Sequence, residues 1–179
     1  MMNIDLERLR EMHPRLPVEV AATMLVRAAL ALQRNGHSTG VKVALQLERA
    51  LSQGLLSWIH ADIDTIDQHD HNRITEDGAE AVSLVAAHQH LSWRVVRRMQ
   101  REEFADWLLE RKTKSGRETA ALEVSGVDRG SIAARLTEKL SQVAKSVDVD
   151  QRWGGVVGFE RPIAALESKK RGKRVNRRP

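Results

Sequence analysis

Apolar residues recur at three- and four-residue steps through Val18, Ala21, Ala22, Leu25, Ala28, Ala29 and Leu32, so the segment that Pro17 opens and Gly36 closes is predicted to be a helix. The spacing of Ala44, Leu47, Leu51, Leu55 and Trp58 predicts a second helix over about 41–58, which would pair with the first as a helical hairpin. A third helix is expected to begin at Thr75, because Glu76 and Asp77 suit the positive N-terminal end of a helix. It continues through Ala79, Val82, Ala86 and His90 and stops near 90–91.

Beyond that point the period changes. Residues 93–101 take on strand composition, and two further strand-like arms follow at 104–109 and 119–125, the second ending at Gly126. Thr113-Lys114-Ser115-Gly116 reads as the turn between them. Partners in an antiparallel pair have residue numbers with a constant sum, and a tip at Lys114-Ser115 sets that sum at 229 and pairs Asp106 with Glu123. Paired residues project from one face, so the two carboxylates would meet there, whereas a slip of one residue would separate them.

After Gly130, Ser131 caps a predicted helix reaching about 147, with Ile132, Leu136, Leu140, Val143 and Val147 as its apolar stripe. Lys139 falls on the edge of that stripe, with Arg135 and Gln142 beside it. Residues 153–159 read as a short buried strand, and a last short helix is expected after Pro162. The expected fold class is α/β: a small mixed sheet in the order helix-strand-strand-strand-helix-strand, flanked by helices, over 75–167. Residues 1–74 form an N-terminal helical extension and 168–179 a basic tail.

Charge changes this picture only at one end. The net charge is +5, yet residues 168–179 hold seven Lys or Arg and no acid, which leaves the rest of the chain at −2. Such a run attracts polyanions through a salt-sensitive, sequence-independent affinity, with Lys169, Lys170 and Arg171 its first contacts, or else serves as a solubilising terminus. At 179 residues the chain suits one domain that buries roughly 70% of its unfolded surface. It has no cysteine, which removes thiol nucleophiles and zinc-ribbon sites. With no apolar run of bilayer length and no signal peptide at the start, the expectation is a soluble cytoplasmic protein with no membrane partner.

Two places carry candidate chemistry. Residues 60–72 are dense in His and Asp but lack the glycine and terminal Glu of an EF-hand loop and any helical His partner at i+4, so they read as an acidic linker into a helix cap, with a dedicated metal site as the other reading. The hairpin is the stronger candidate. Two acids side by side at the inner edge of an apolar hairpin are costly unless a cation or a proton compensates them, although a surface hairpin with solvated acids is the other reading of the same residues.

The helix-strand-strand-strand-helix-strand order, with Asp106 in Ala105-Asp106-Trp107 and Glu123 in Leu122-Glu123-Val124-Ser125, resembles the PD-(D/E)XK nuclease superfamily over about residues 75–160. The resemblance implies a central mixed sheet with helices on both faces and a divalent-metal site at one edge. Asp106 would match the first acid and Glu123 the second. Ser125 stands where the family usually has lysine, and Lys139 on the following helix would take that role, as in members that move the basic group there; Gln142 would match a glutamine that some members carry. Mg²⁺ or Mn²⁺ would take Asp106, Glu123 and the carbonyl of Val124 as ligands, since two carboxylates and a backbone oxygen suit such an ion. Arg97, Arg98, Arg101, Arg135 and Gln142 would contact the nucleic acid, with Glu80 and Glu103 near enough to join the site.

The implied function is a metal-dependent nuclease, acting on DNA ahead of RNA, in restriction, repair or defence. The alternative is an inactive nuclease-like module that binds nucleic acid or a protein, including a homodimer partner through the N-terminal helices. A toxin or antitoxin acting through protein contacts is a third class.

Overall fold

The computed structural model describes residues 2–169. The chain runs β1 (Met2–Asp5), α1 (Leu9–Met12), α2 (Val18–Arg34), β2 (Val41–Leu47), β3 (Ala50–Ser57), α3 (His71–Leu91), β4 (Arg94–Arg98), β5 (Trp107–Thr113), β6 (Gly116–Val127), α4 (Ile132–Val143), β7 (Gln151–Gly158) and β8 (Ile163–Ser168), with short 3₁₀ turns at Leu6–Arg8, Ile63–Gln68 and Arg101–Glu103. The fold is mixed α/β, as expected, but among the described residues the sheet has eight strands in the order β1-β3-β2-β8-β7-β6-β5-β4.

The expected helix over 41–58 is instead the β2–β3 hairpin, so no N-terminal helical hairpin forms. Two periods compete in this segment. Ala44, Leu47, Leu51 and Leu55 fit a helix, but Val41, Val43, Leu45 and Leu47 also alternate, and burial of Val43 and Leu45 follows the alternation. The turn is Glu48-Arg49, both at positive φ, a two-residue hairpin loop built without the Gly or Asn that usually announces one. The last short helix is likewise a strand. β8 lies between β2 and β7, where Ala164, Ala165 and Leu166 are buried, and its two-sided pairing overrides the helix preference of Ala, Leu and Glu.

The other elements follow the sequence pattern with shifted ends. α3 begins at His71 rather than Thr75, because Asp70 accepts the Arg73 N–H and caps it. α4 is capped by Ser131 as expected but stops at Val143, leaving Val147 exposed instead of on the stripe. β5 and β6 pair in the expected register, Trp107 with Leu122 through Thr113 with Gly116.

α1, α2 and α3 share a core with one face of the sheet, and α4 covers the other with Leu136, Val143 and the half-buried Ile132 and Leu140. The alanine-rich α2 packs within the chain on α3, so closely that a Cβ on Gly78 would lie 3.0 Å from the Ala28 Cα. Arg27 to Asp77, and Arg34 to both Thr75 and Asp128, fasten α2 to α3 and to the end of β6. α4 links β6 to β7, which pair in parallel, so the helix bearing Lys139 lies across the strand bearing Glu123. Among the described residues no helix is long and apolar enough to cross a membrane.

Candidate active site

The site is a notch in the sheet. β5 starts at Trp107, opposite Leu122, whereas β6 runs on to Val127, so the edge of β6 facing β5 continues without a strand beside it. Asp106 fills the first place in that gap. Its N–H donates to the Leu122 carbonyl (3.0 Å), its own carbonyl accepts from Met99 N–H (2.9 Å), and its Oδ2 accepts from Val124 N–H (2.8 Å). In a strand the N–H and C=O of one residue face the same way, so the Val124 carbonyl also faces the notch.

Glu123 is the opposed acid, only 5% exposed, and its carboxyl is within hydrogen-bonding reach of that of Asp106. Burial, followed by the Asp106 charge, pushes Glu123 up to about 7, and burial also raises Asp106. From α4, Lys139 Nζ donates to Glu123 Oε1 at 3.0 Å and to Gln142 Oε1 at 3.4 Å. The side chains of Lys139 and Glu123 are 14% and 6% exposed, so this is a buried pair. The three residues expected to carry the chemistry therefore converge.

Two more acids enter from α3 on the other face. A Cβ on Gly126 would collide with Thr75, and its absence lets the start of α3 lie against β6. Glu76 then accepts from the Ser125 hydroxyl at 3.3 Å and from the Gly126 N–H, and burial raises its pKa. One turn on, Glu80 is 5% exposed and accepts two hydrogen bonds from Arg98 at 2.8 Å and one from the Trp107 indole N–H at 3.0 Å. Burial lifts Glu80 to about 7 against the opposing pull of Arg98. Arg98 also stands 4.0 Å from Asp106, bridging the two acids. The notch thus collects Glu76 and Glu80 from one face of the sheet and Lys139 from the other.

The basic residues divide. Arg98 is built into the acid cluster, and Arg97 forms a two-pronged pair with Glu103 at 2.6 and 2.8 Å, so both are engaged with carboxylates. Arg97 and the Gln100 N–H hold Glu103 down at about 2, and Glu103 belongs to this loop clamp rather than to the notch. Arg101 is exposed and Arg135 half-buried, paired with Glu138 at 3.0 Å. Lys169 is exposed at the end of β8, while Lys170 and Arg171 lie outside the described residues. Glu76 was not among the expected site residues; its one signal is its i, i+4 spacing from Glu80 on a helix face.

Asp106, Glu123 and the Val124 carbonyl fit a hard divalent ion. The donors are all oxygen, and a pair of acids held together with raised proton affinity is the chemistry such an ion relieves. Among the described residues there is no group of three or more His, Cys, Asp or Glu that could hold a metal, including 60–72, so any ion here would rest on two carboxylates and backbone. No protein-family model, curated protein or solved structure matches this chain.

Proposed function

We propose that this protein is a metal-dependent phosphodiesterase that hydrolyses nucleic acid, DNA ahead of RNA, on a scaffold like that of the PD-(D/E)XK nucleases. One observation carries the reading: Asp106 and Glu123 face each other at the head of a hairpin with Lys139 Nζ 3.0 Å from Glu123 Oε1. The order of α3, β4, β5, β6, α4 and β7 agrees with the resemblance and supports it.

Asp106, Glu123 and the Val124 carbonyl would hold Mg²⁺ or Mn²⁺, which when bound neutralises charge developing on a phosphodiester and lowers the pKa of a water. The chain's own groups supply the rest. Val124 N–H holds Asp106 Oδ2 and Arg98 stands 4.0 Å from Oδ1, which together fix the carboxylate. Lys139 has three N–H donors, and the one not engaged with Glu123 and Gln142 orients a water or a phosphate oxygen. Arg101 and Arg135 at the rim take flanking phosphates; Arg97 and Arg98 act by holding the loop and the acids.

The test is incubation of the protein with supercoiled, linear and single-stranded DNA, and with RNA, in Mg²⁺ or Mn²⁺, beside Asp106→Ala and Glu123→Ala. Cleavage abolished by both substitutions is expected, and cleavage that survives them overturns the reading. A second reading, a nuclease-like module without chemistry, is favoured by the ion pair itself, since Lys139 already compensates Glu123 and Ser125 stands in the usual lysine position. Under that reading divalent metal leaves the melting temperature unchanged.

A further inference from the structure

Among the described residues Phe104 is the one Trp, Phe or Tyr side chain that the fold leaves in water. The chain has four Trp, two Phe and no Tyr, and every one of the other five is 4% exposed or less, while Phe104 is 42% exposed. It lies two residues before Asp106, the residue that fills the notch.

Its backbone is unusual as well as its exposure. Phe104 sits at φ 60°, ψ 30°, the left-handed region that bulky residues rarely occupy. The surroundings enforce this. On one side Glu103 is clamped by Arg97 and the Gln100 N–H, and its carbonyl accepts from the Ser146 hydroxyl at 2.7 Å. On the other side Ala105 is buried among Met99, Ala121, Val143 and Val149, and Asp106 is tied to β6. With both flanks pinned, the backbone that carries the ring is held in place, and the ring stands exposed.

Two cations flank the ring, beside the acids Glu102 and Glu103 of the same turn. Lys145 Nζ stands 5.7 Å from the ring centroid, and Arg101 is exposed on the same 3₁₀ turn. An exposed aromatic ring with cations beside it is the combination that holds single-stranded nucleic acid, the ring stacking on a base and the cations tracking phosphates. A base inside a continuous duplex offers no free face.

We infer that Phe104 is a stacking platform for an unpaired base beside the notch, with the neighbouring phosphates on Lys145 and Arg101, which makes single-stranded, gapped or flapped nucleic acid the preferred substrate. This rests on the nucleic-acid reading above and narrows its substrate class.

The experiment reads binding alone, with the full chain in EDTA so that no strand is cut. Oligonucleotides carry 2-aminopurine in a single strand, at a gap, or within an unbroken duplex. The wild-type protein is expected to bind the first two more tightly and to change their fluorescence by stacking. Phe104→Ala and Phe104→Asn should weaken single-strand and gap binding by about tenfold and leave duplex binding unchanged, with Phe104→Trp restoring it. Asparagine tolerates the left-handed backbone, so Phe104→Asn should melt no lower than wild type, and its loss of binding then reports the ring. Equal weakening on all three probes, or single-strand binding within twofold of wild type in Phe104→Ala, overturns the inference. Stacking without metal-dependent cleavage overturns only the enzymatic reading; cleavage that depends on Asp106 without stacking overturns only this one; no binding to any probe overturns both.

Discussion

Lys139 Nζ lies 3.0 Å from Glu123 Oε1 although the two residues are 16 positions apart on different elements, and both side chains are largely buried. Removing one member of such a pair leaves an unpaired charge. Lys139→Met is therefore expected to cost about 3 kcal/mol at pH 8, where Glu123 is ionised. At pH 5.5 the cost should be much smaller, because a proton on Glu123 then does the neutralising. Urea melts at the two pH values check this, and an equal loss at both would mean the pair is not electrostatically coupled.

The acids of the notch also predict a metal-dependent pH profile. Glu80 and Glu123 are raised to about 7 from about 4.5. Folding therefore favours their protonated forms, so their contribution is fully present below pH 4.5 and is lost as pH rises through 7. In EDTA, this contribution should make Glu123→Gln less sensitive than wild type to a rise from pH 5 to pH 8. A divalent ion must displace the proton, so the rise in melting temperature with Mg²⁺ or Mn²⁺ should grow from pH 5.5 to pH 8 and be absent in Glu123→Gln. A metal effect independent of pH would place the ion elsewhere.

A buried histidine between α1, α3 and β4 has the reverse sign. His13 is fully buried, its Nδ1 accepting from Val95 N–H at 3.0 Å and its Nε2 donating to the Leu84 carbonyl at 3.0 Å, which ties α1 to α3 and β4. Burial lowers it to about 4 from 6.5. Its neutral form is the folded one, so its contribution is present above pH 6.5 and is lost as pH falls through 4. His13→Ala should leave two backbone groups unsatisfied, costing about 3 kcal/mol at pH 7. It should also flatten the acid side of the stability profile, as read by chemical denaturation from pH 4 to 7.

The readable and unreadable parts of the sequence separate on physical grounds. The β5–β6 register is readable because a local turn at Lys114-Ser115 sets it, and with it the meeting of Asp106 and Glu123. Lys139 is readable because helical spacing places it at the edge of an apolar stripe, and α4 must lie on the strand it follows. The β2–β3 hairpin is hidden because Glu48 and Arg49 carry positive φ without glycine, and β8 because its strand character comes from the neighbours on both sides. Glu76 reaches the site only because β5 starts late and Gly126 admits α3, neither of which is a local signal.

That dependence makes Gly126 a sharp test of how the site is assembled. A Cβ there would come within 2.6 Å of Thr75 Cγ2 and closer still to its carbonyl, so α3 would have to shift away from β6. Gly126→Ala is expected to cost about 3 kcal/mol. It should also break the Ser125–Glu76 contact and lower activity further than the loss of stability explains at a temperature where the variant remains folded. A variant as stable as wild type would mean that α3 has room to move.

The basic end of the chain is expected to govern affinity rather than chemistry. Lys169 N–H donates to the Arg152 carbonyl at 2.7 Å, so β8 extends its pairing to this residue and a truncation that spares the fold must begin at 170. Residues 170–179 carry six Lys or Arg and no acid. Each phosphate neutralised contributes about 0.9 to the slope of log affinity against log salt on duplex DNA. Ending the chain at Lys169 should therefore reduce that slope by several units and weaken binding most at low salt, while leaving single-turnover cleavage at saturating protein unchanged. Titrations at several salt concentrations measure it, and an unaltered slope would move the phosphate contacts onto the folded rim at Arg101 and Arg135.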